Sequence, residues 1–112
     1  MPKNNLVYLG HMLDCAKDIQ AYLRGKGRDD FDADPLLRLA TAHLIQTIGE
    51  AARLVAPDFQ LQHAQIPWTS IIGMRHRIVH DYLNIDFDVV WDVATRDLPV
   101  LIPQIEAILA QP

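Results

Sequence analysis

The sequence predicts an all-α fold, an antiparallel four-helix-type bundle whose C-terminal helix is broken or kinked. Apolar residues recur at three- and four-residue steps in four separate stretches, which is the period of amphipathic helices. Proline and glycine residues occur at the ends of these stretches. No stretch shows the apolar/polar alternation expected of a half-buried strand. The 112 residues are therefore expected to form one domain, residues 1–112.

The first predicted helix begins near Asn4, and Gly25 and Gly27 end it. Residues 25–34 are then expected to form a polar loop. The apolar stripe of this helix is formed by Leu6, Leu9, Leu13, Ala16, Ile19 and Leu23.

The second predicted helix begins at Asp34-Pro35, with Asp as the N-cap and Pro at the first helical position. Pro57 ends it, and residues 57–65 are expected to form a loop. The apolar stripe is formed by Leu37, Ala40, Leu44, Ile48, Ala51 and Val55.

The third and fourth helices follow Ile66-Pro67-Trp68. The third is predicted to run to Leu83, with Asn84 and Asp86 as stop and restart signals. The fourth carries two prolines, Pro99 and Pro103, and proline inside a helix removes a hydrogen bond and bends the axis. We therefore expect a helix to about residues 95–97, followed by a second helix or a sharp kink that continues to about residue 110.

Composition limits the function classes. The net charge of −4 and the pI of about 5.6 argue against a generic nucleic-acid coat, so binding to a polyanion would need a local basic patch. A single cysteine, Cys15, permits no internal disulfide and fits a cytoplasmic setting. We expect no signal peptide, no membrane span and no cofactor.

Residues 73–84, GMRHRIVHDYLN, form the predicted basic patch. On a continuous helix, His76, Arg77 and His80 fall on the polar face, opposite an apolar face. Arg75 falls on the apolar side, where an unpaired guanidinium would be costly. Either Arg75 has an acceptor nearby, for which Glu50 is the candidate, or the helix deforms and Arg75 emerges into a cleft.

The residues alone leave three interpretations of this patch open. In the first interpretation, Arg75 is a structural ion-pair residue and the other cations are solvated. In the second, His76 and His80, four residues apart, bind a metal. The third interpretation is phosphate chemistry, in which arginine holds phosphate oxygens and histidine moves a proton.

The spacing Arg75-x4-His80-x-Tyr82 resembles the signature of the HEPN ribonucleases, and its context is similar to the HepT toxins. That context comprises IGEAARL, IPWTSIIGMRHRIVHDY and DFDVVWDVATRDLPVL, and the likeness extends from about Leu6 to Leu109. His76 departs from the family pattern, which often has a neutral polar residue there. Asp81 stands where glycine is common, and its charge would disfavour phosphate.

The resemblance implies an all-α homodimer that cleaves RNA without a metal at a composite site on the dimer interface. Arg75 would hold the phosphate and His80 would act as acid or base, with His76, Arg77 and Glu50 supporting them. It also implies a type VII-like toxin–antitoxin system with an MntA-like nucleotidyltransferase antitoxin that AMPylates Tyr82. The alternative is a non-catalytic HEPN module that binds a nucleotide or a protein.

Overall fold

The computed structural model describes residues 2–81 and 84–111 and confirms the predicted all-α bundle. Its elements, in chain order, are α1 (Pro2–Leu23), α2 (Arg28–Ala33), α3 (Pro35–Leu54), α4 (Pro57–Gln62), α5 (Trp68–Ile72), α6 (Met74–Ile78), β1 (Val79–Asp81), β2 (Asn84–Ile85), α7 (Phe87–Asp92), a π-helical turn (Val93–Asp97) and α8 (Leu98–Leu109). The long helix α3 packs against α1 and also against α5, α6 and α7. Helix α8 packs against α1.

The start of α3 confirms the N-cap predicted from the sequence. The Asp34 side chain accepts a hydrogen bond from the Leu37 backbone N–H at 3.1 Å, and Pro35 occupies the first turn. The predicted stripe is wrong at Ala40, which is exposed, whereas Thr41 and Ile45 are fully buried. The buried face of α3 therefore lies slightly to one side of the one inferred from apolar spacing.

Two predicted loops contain short helices instead. Residues 25–34 include α2 because Phe31 is fully buried and its ring packs 5.1 Å from that of Trp91. The Asp30 carboxylate accepts the Gly27 N–H at 2.9 Å and caps this helix. Residues 57–65 include α4, which begins at Pro57. In both cases turn-forming residues mark a helix start rather than an irregular segment.

The prediction of one continuous third helix is wrong beyond the first turns. It is split at Gly73 into α5 and α6, and the backbone becomes extended after Ile78. Strands β1 and β2 pair antiparallel, with Val79 opposite Ile85 and Asp81 opposite Asn84. This small hairpin was not expected from the sequence, because its two strands are too short to show an alternating pattern.

The predicted break in the C-terminal helix is confirmed as the π-helical turn between α7 and α8. Pro99 lacks an N–H and its ring would clash with the carbonyl of residue 95 in a regular α-helix. A wider π turn relieves that clash between α7 and α8. Pro103 lies inside α8, whose buried residues include Ile105 and Ile108.

A close backbone contact joins α3 to α5. A Cβ atom on Gly49 would lie 2.9 Å from the carbonyl oxygen of Ile71, a distance that side-chain carbons essentially never show. Only glycine lets α3 approach the end of α5 this closely. This contact fixes the position of the chain that leads into α6.

Within residues 2–81 and 84–111, no helix combines the length and apolar character needed to cross a membrane.

Candidate active site

Helix α6 is anchored by two buried side chains and presents the basic residues outward. Met74 and Ile78, one helical turn apart, are 3% and 0% exposed. The three residues between them, Arg75, His76 and Arg77, are all exposed. We call this exposed set, together with His80 on β1, the α6–β1 surface.

The prediction that Arg75 faces the apolar side is wrong. Its side chain is exposed because the helix stops at Ile72 and restarts at Met74, which breaks the angular spacing of a continuous helix. Of the two sequence-based possibilities, the structure matches the one in which the helix deforms and Arg75 emerges.

Glu50 is not the partner of Arg75 within this chain. Its carboxylate lies 2.9 Å from Nε of Arg53, one turn along α3, and both side chains are about 60% exposed. Among the described residues, no ion pair joins Glu50 to Arg75. No ion pair or hydrogen bond of the Arg75 side chain is found among the described residues, so its donors are available there for a ligand.

His80 has a carboxylate neighbour, Asp86, that was not predicted as part of the site. Its Nε2 lies 3.4 Å from Oδ2 of Asp86, and 61% of the His80 side chain is exposed. A carboxylate can only accept, so this contact requires the proton of a neutral imidazole to sit on Nε2. The other ring nitrogen, Nδ1, is then the basic one.

Besides its contact with His80, Asp86 forms hydrogen bonds through its side chain and its backbone. Its Oδ1 accepts the Val89 N–H at 3.2 Å and caps α7, and its own N–H donates to the Ile78 carbonyl at 2.6 Å. The pKa of the Asp86 carboxyl lies below its ordinary value, mainly because of the hydrogen bond from Val89 and secondarily because of His80. Asp86 is therefore an ionised, fixed acceptor beside His80.

The sequence marked Asp86 only as a helix restart signal. An Asp before a helical run predicts the N-cap role, and that role is present. Its contact with His80 depends on β1 pairing with β2, which brings residues six apart in sequence side by side. The two strands are too short and irregular to produce an alternating pattern of apolar and polar residues. The spacing of residues in the sequence therefore could not predict this contact.

Arg77 connects the α6–β1 surface to the C-terminal part of the chain. Its Nη1 lies 4.0 Å from Oδ2 of Asp97, and both side chains are about half exposed. A pair at this distance and exposure contributes little to stability. The guanidinium of Arg77 is thus held near α8 without being neutralised by a tight ion pair.

Two interpretations from the sequence concern the modification of Tyr82 and metal binding by His76 and His80. Tyr82 lies outside the described residues, so its modification stays a prediction. Within the described part of the chain, no three His, Cys, Asp or Glu side chains are grouped in a way that could hold a metal ion.

Comparison with known families gives a match over most of the chain. A family model described as "Ribonuclease HepT-like" matches residues 12–108. This range contains α3, the α6–β1 surface and Asp86.

Curated relatives match over similar lengths. The chain is 30% identical over 102 residues to "Putative RNase TTE0752" of Caldanaerobacter subterraneus subsp. tengcongensis, covering 91% of each protein. It is 29% identical over 101 residues to "Probable ribonuclease HepT" of Thermococcus cleftensis, covering 90% of this chain and 92% of that protein. It is also 31% identical over 111 residues to "Gamma-glutamylcyclotransferase and putative RNase MJ0434" of Methanocaldococcus jannaschii. That match covers 99% of this chain but 50% of the relative. No solved structure matches the chain.

Proposed function

The chain belongs to the HepT-like ribonuclease family, and from that premise we propose that it cleaves RNA without a metal, at a composite site shared by two copies. The activity is that of an endoribonuclease. The observation that carries the mechanism is the α6–β1 surface, where exposed arginines accompany a histidine fixed by Asp86.

The reaction needs a proton acceptor and a group that holds developing negative charge. Nδ1 of His80 takes the proton from the ribose 2′-hydroxyl as the 2′-oxygen bonds to the adjacent phosphorus. The bond from phosphorus to the 5′-oxygen breaks, and that oxygen takes a proton from an acid. The products are a 2′,3′-cyclic phosphate and a free 5′-hydroxyl. The protonated His80 then gives the proton that it accepted to this 5′-oxygen, so one histidine and one arginine complete a site.

Arg75 holds the non-bridging phosphate oxygens. Its guanidinium is exposed and has no ion-pair partner among the described residues, and its fork geometry suits phosphate. Arg77 and His76 add positive charge or hydrogen-bond donors on the same surface. Glu50 pairs with Arg53, which leaves it no direct part in the reaction within one chain.

The decisive experiment is RNA cleavage by purified protein in EDTA. We expect wild-type cleavage to survive the chelator and to leave a cyclic phosphate end. His80→Ala and Arg75→Ala should each lower the rate by about 10²-fold or more, as loss of a proton-transfer group or a charge-stabilising donor does. Arg53→Ala, an exposed arginine on α3, is the matched control and should cleave at the wild-type rate. Unchanged cleavage in both site variants would reject the mechanism and favour a non-catalytic binding module.

We further propose that the protein is the toxin of a type VII-like pair, silenced by an MntA-like nucleotidyltransferase that transfers AMP to Tyr82. An added phosphate group brings negative charge and bulk next to a cationic RNA site, and it repels the substrate. The support is the position of Tyr82 in the sequence, two residues after His80.

The modification is tested by incubating the protein with such a nucleotidyltransferase and ATP and measuring intact mass. We expect added AMP units and loss of RNA cleavage. Tyr82→Phe should prevent the mass increase, whereas Tyr22→Phe, which removes an exposed tyrosine on α1, should not. Equal modification of the Tyr82→Phe variant would place the acceptor elsewhere.

A further inference from the structure

A cleft lies between α5 and α6 on one side and α8 on the other. Its volume is about 300 Å³, at the lower end of the range for small-ligand sites. Apolar side chains form most of its lining, including Ile71, Met74 and Leu101, all 3–5% exposed. The cleft is therefore a preformed apolar slot, bounded partly by the same short helix that carries Arg75.

One polar group in this cleft has an unused hydrogen-bonding atom. The Nε2 of Gln104 donates to the backbone carbonyl of Gln65 at 3.2 Å, which fixes the orientation of the amide. Its Oε1 is buried, and no described protein group donates to it. A buried acceptor without a donor is unfavourable, and a turn of the Gln104 side chain toward the cleft would let the N–H group of a ligand satisfy it. Nucleobases carry such N–H groups at their edges.

The rim of the cleft carries positive charge. Arg77 and Arg96 both line it and are exposed, and Asp97 is the one acidic residue among the described residues that line it. The contact from Arg77 to Asp97 is 4.0 Å long, and no ion pair of Arg96 is found among the described residues, so neither guanidinium is tightly neutralised. An apolar slot with arginines at its mouth matches a flat aromatic ring joined to a phosphate.

We propose that this cleft is a nucleotide subsite for the RNA substrate, with the base in the slot and its phosphate on Arg77 and Arg96. The proposal rests on the proposed ribonuclease function. Arg77 lines the cleft and also belongs to the α6–β1 surface, so a strand held in the cleft reaches that surface. The subsite would thus place a nucleotide that flanks the cleaved linkage.

A binding experiment tests the subsite without requiring cleavage. Protein labelled at its methionine methyl groups is titrated with adenosine 3′-monophosphate, uridine 3′-monophosphate and inorganic phosphate. We expect both mononucleotides to shift the Met74 signal in a saturable way and phosphate alone to shift it much less. Met12, fully buried in α1, is the internal control and should not move. An unmoved Met74 signal with both mononucleotides overturns the proposal.

A second copy of the chain is the competing occupant of the cleft. If it fills the slot, the Met74 signal changes on dilution of the protein alone and mononucleotides have no further effect. That result also overturns the subsite.

Kinetics give the second arm of the test. Arg96→Gln should raise the KM for RNA by about tenfold with little change in kcat, because it removes one charge-assisted phosphate contact. Arg24→Gln, an exposed arginine after α1 and outside the cleft, should leave both constants unchanged. An equal KM for Arg96→Gln and wild type contradicts the subsite. If wild-type protein cleaves no RNA at all, the proposed ribonuclease function is rejected. The methionine titration still shows whether the cleft binds a mononucleotide.

Discussion

At the scale of single residues, the pairing of His80 with Asp86 determines which ring nitrogen is available for chemistry. The carboxylate has two acceptor oxygens, and both are used, one by His80 and one by the N–H of Val89. An asparagine at this position offers one acceptor oxygen and one donor group. If the oxygen keeps capping α7, the amide N–H₂ faces His80 and favours the tautomer with its proton on Nδ1.

We therefore expect Asp86→Asn to lower kcat for RNA cleavage by about 10²-fold while KM and the free energy of unfolding at neutral pH change little. Asn is as good an N-cap as Asp, so the helix start is preserved. Asp34→Asn is the matched control, since Asp34 caps α3 in the same way without contacting a histidine. Long-range ¹H–¹⁵N spectra should show the His80 tautomer change in Asp86→Asn alone. Equal kcat values for the two variants would show that Asp86 is merely a cap.

The lowered pKa of Asp86 also makes a prediction about acid stability. Because the folded-state pKa lies below the ordinary value of about 3.9, the folded protein binds fewer protons than the unfolded chain as acid is added. The resulting stabilisation is complete above that ordinary value and is lost as pH falls through the folded-state pKa. Urea unfolding between about pH 6 and pH 2.5 should show wild-type stability falling relative to Asp86→Asn in this window. A constant difference between the two proteins across the range would contradict this assignment.

At the scale of elements, Gly49 sets the distance between α3 and α5, and hence the position of α6. Gly49→Ala would push a methyl group to 2.9 Å from the Ile71 carbonyl oxygen, and neither backbone can move freely. We expect a loss of about 1–3 kcal/mol in the free energy of unfolding, typical of overpacking.

Gly10→Ala provides the control for this substitution. Gly10 lies within α1, and nothing stands within 4 Å of a Cβ built on it. Alanine there should stabilise the protein by about 0.5–1 kcal/mol, because helical glycine is unfavourable. Chemical denaturation of the three proteins measures both effects. Similar stability changes in the two variants would indicate that the α3–α5 contact is looser than described.

The elements also show how far the sequence could predict the fold. The three- and four-residue spacing, the N-cap at Asp34 and the stop signal at Pro57 identify the long helices correctly, because these signals are local. The split at Gly73 and the hairpin after Ile78 were missed, because they depend on packing against α3 and on strand pairing across the chain. The motif residues Arg75 and His80 could be chosen from sequence, whereas the exposure of Arg75 and the contact of His80 with Asp86 could not.

At the scale of the whole molecule, one chain presents its basic residues on an open surface rather than in a closed pocket. Arg75, His76, Arg77 and His80 are all exposed, and the net charge of the chain is −4. A second copy facing this surface would bring two sets of these residues together and exclude water, which strengthens electrostatic stabilisation of the transition state. Symmetric dimers use the same patch on both copies, so one surface is sufficient to build such a site.

Subunit mixing tests most directly whether the site is shared between two copies. Arg75→Ala and His80→Ala proteins, each inactive alone, are mixed under conditions that allow exchange, and RNA cleavage is measured in EDTA. If each site takes its arginine from one copy and its histidine from the other, mixing should restore about one quarter of the wild-type rate, since half the dimers would be mixed and one of their two sites complete. No recovery, with subunit exchange shown independently, would contradict a site shared in this way.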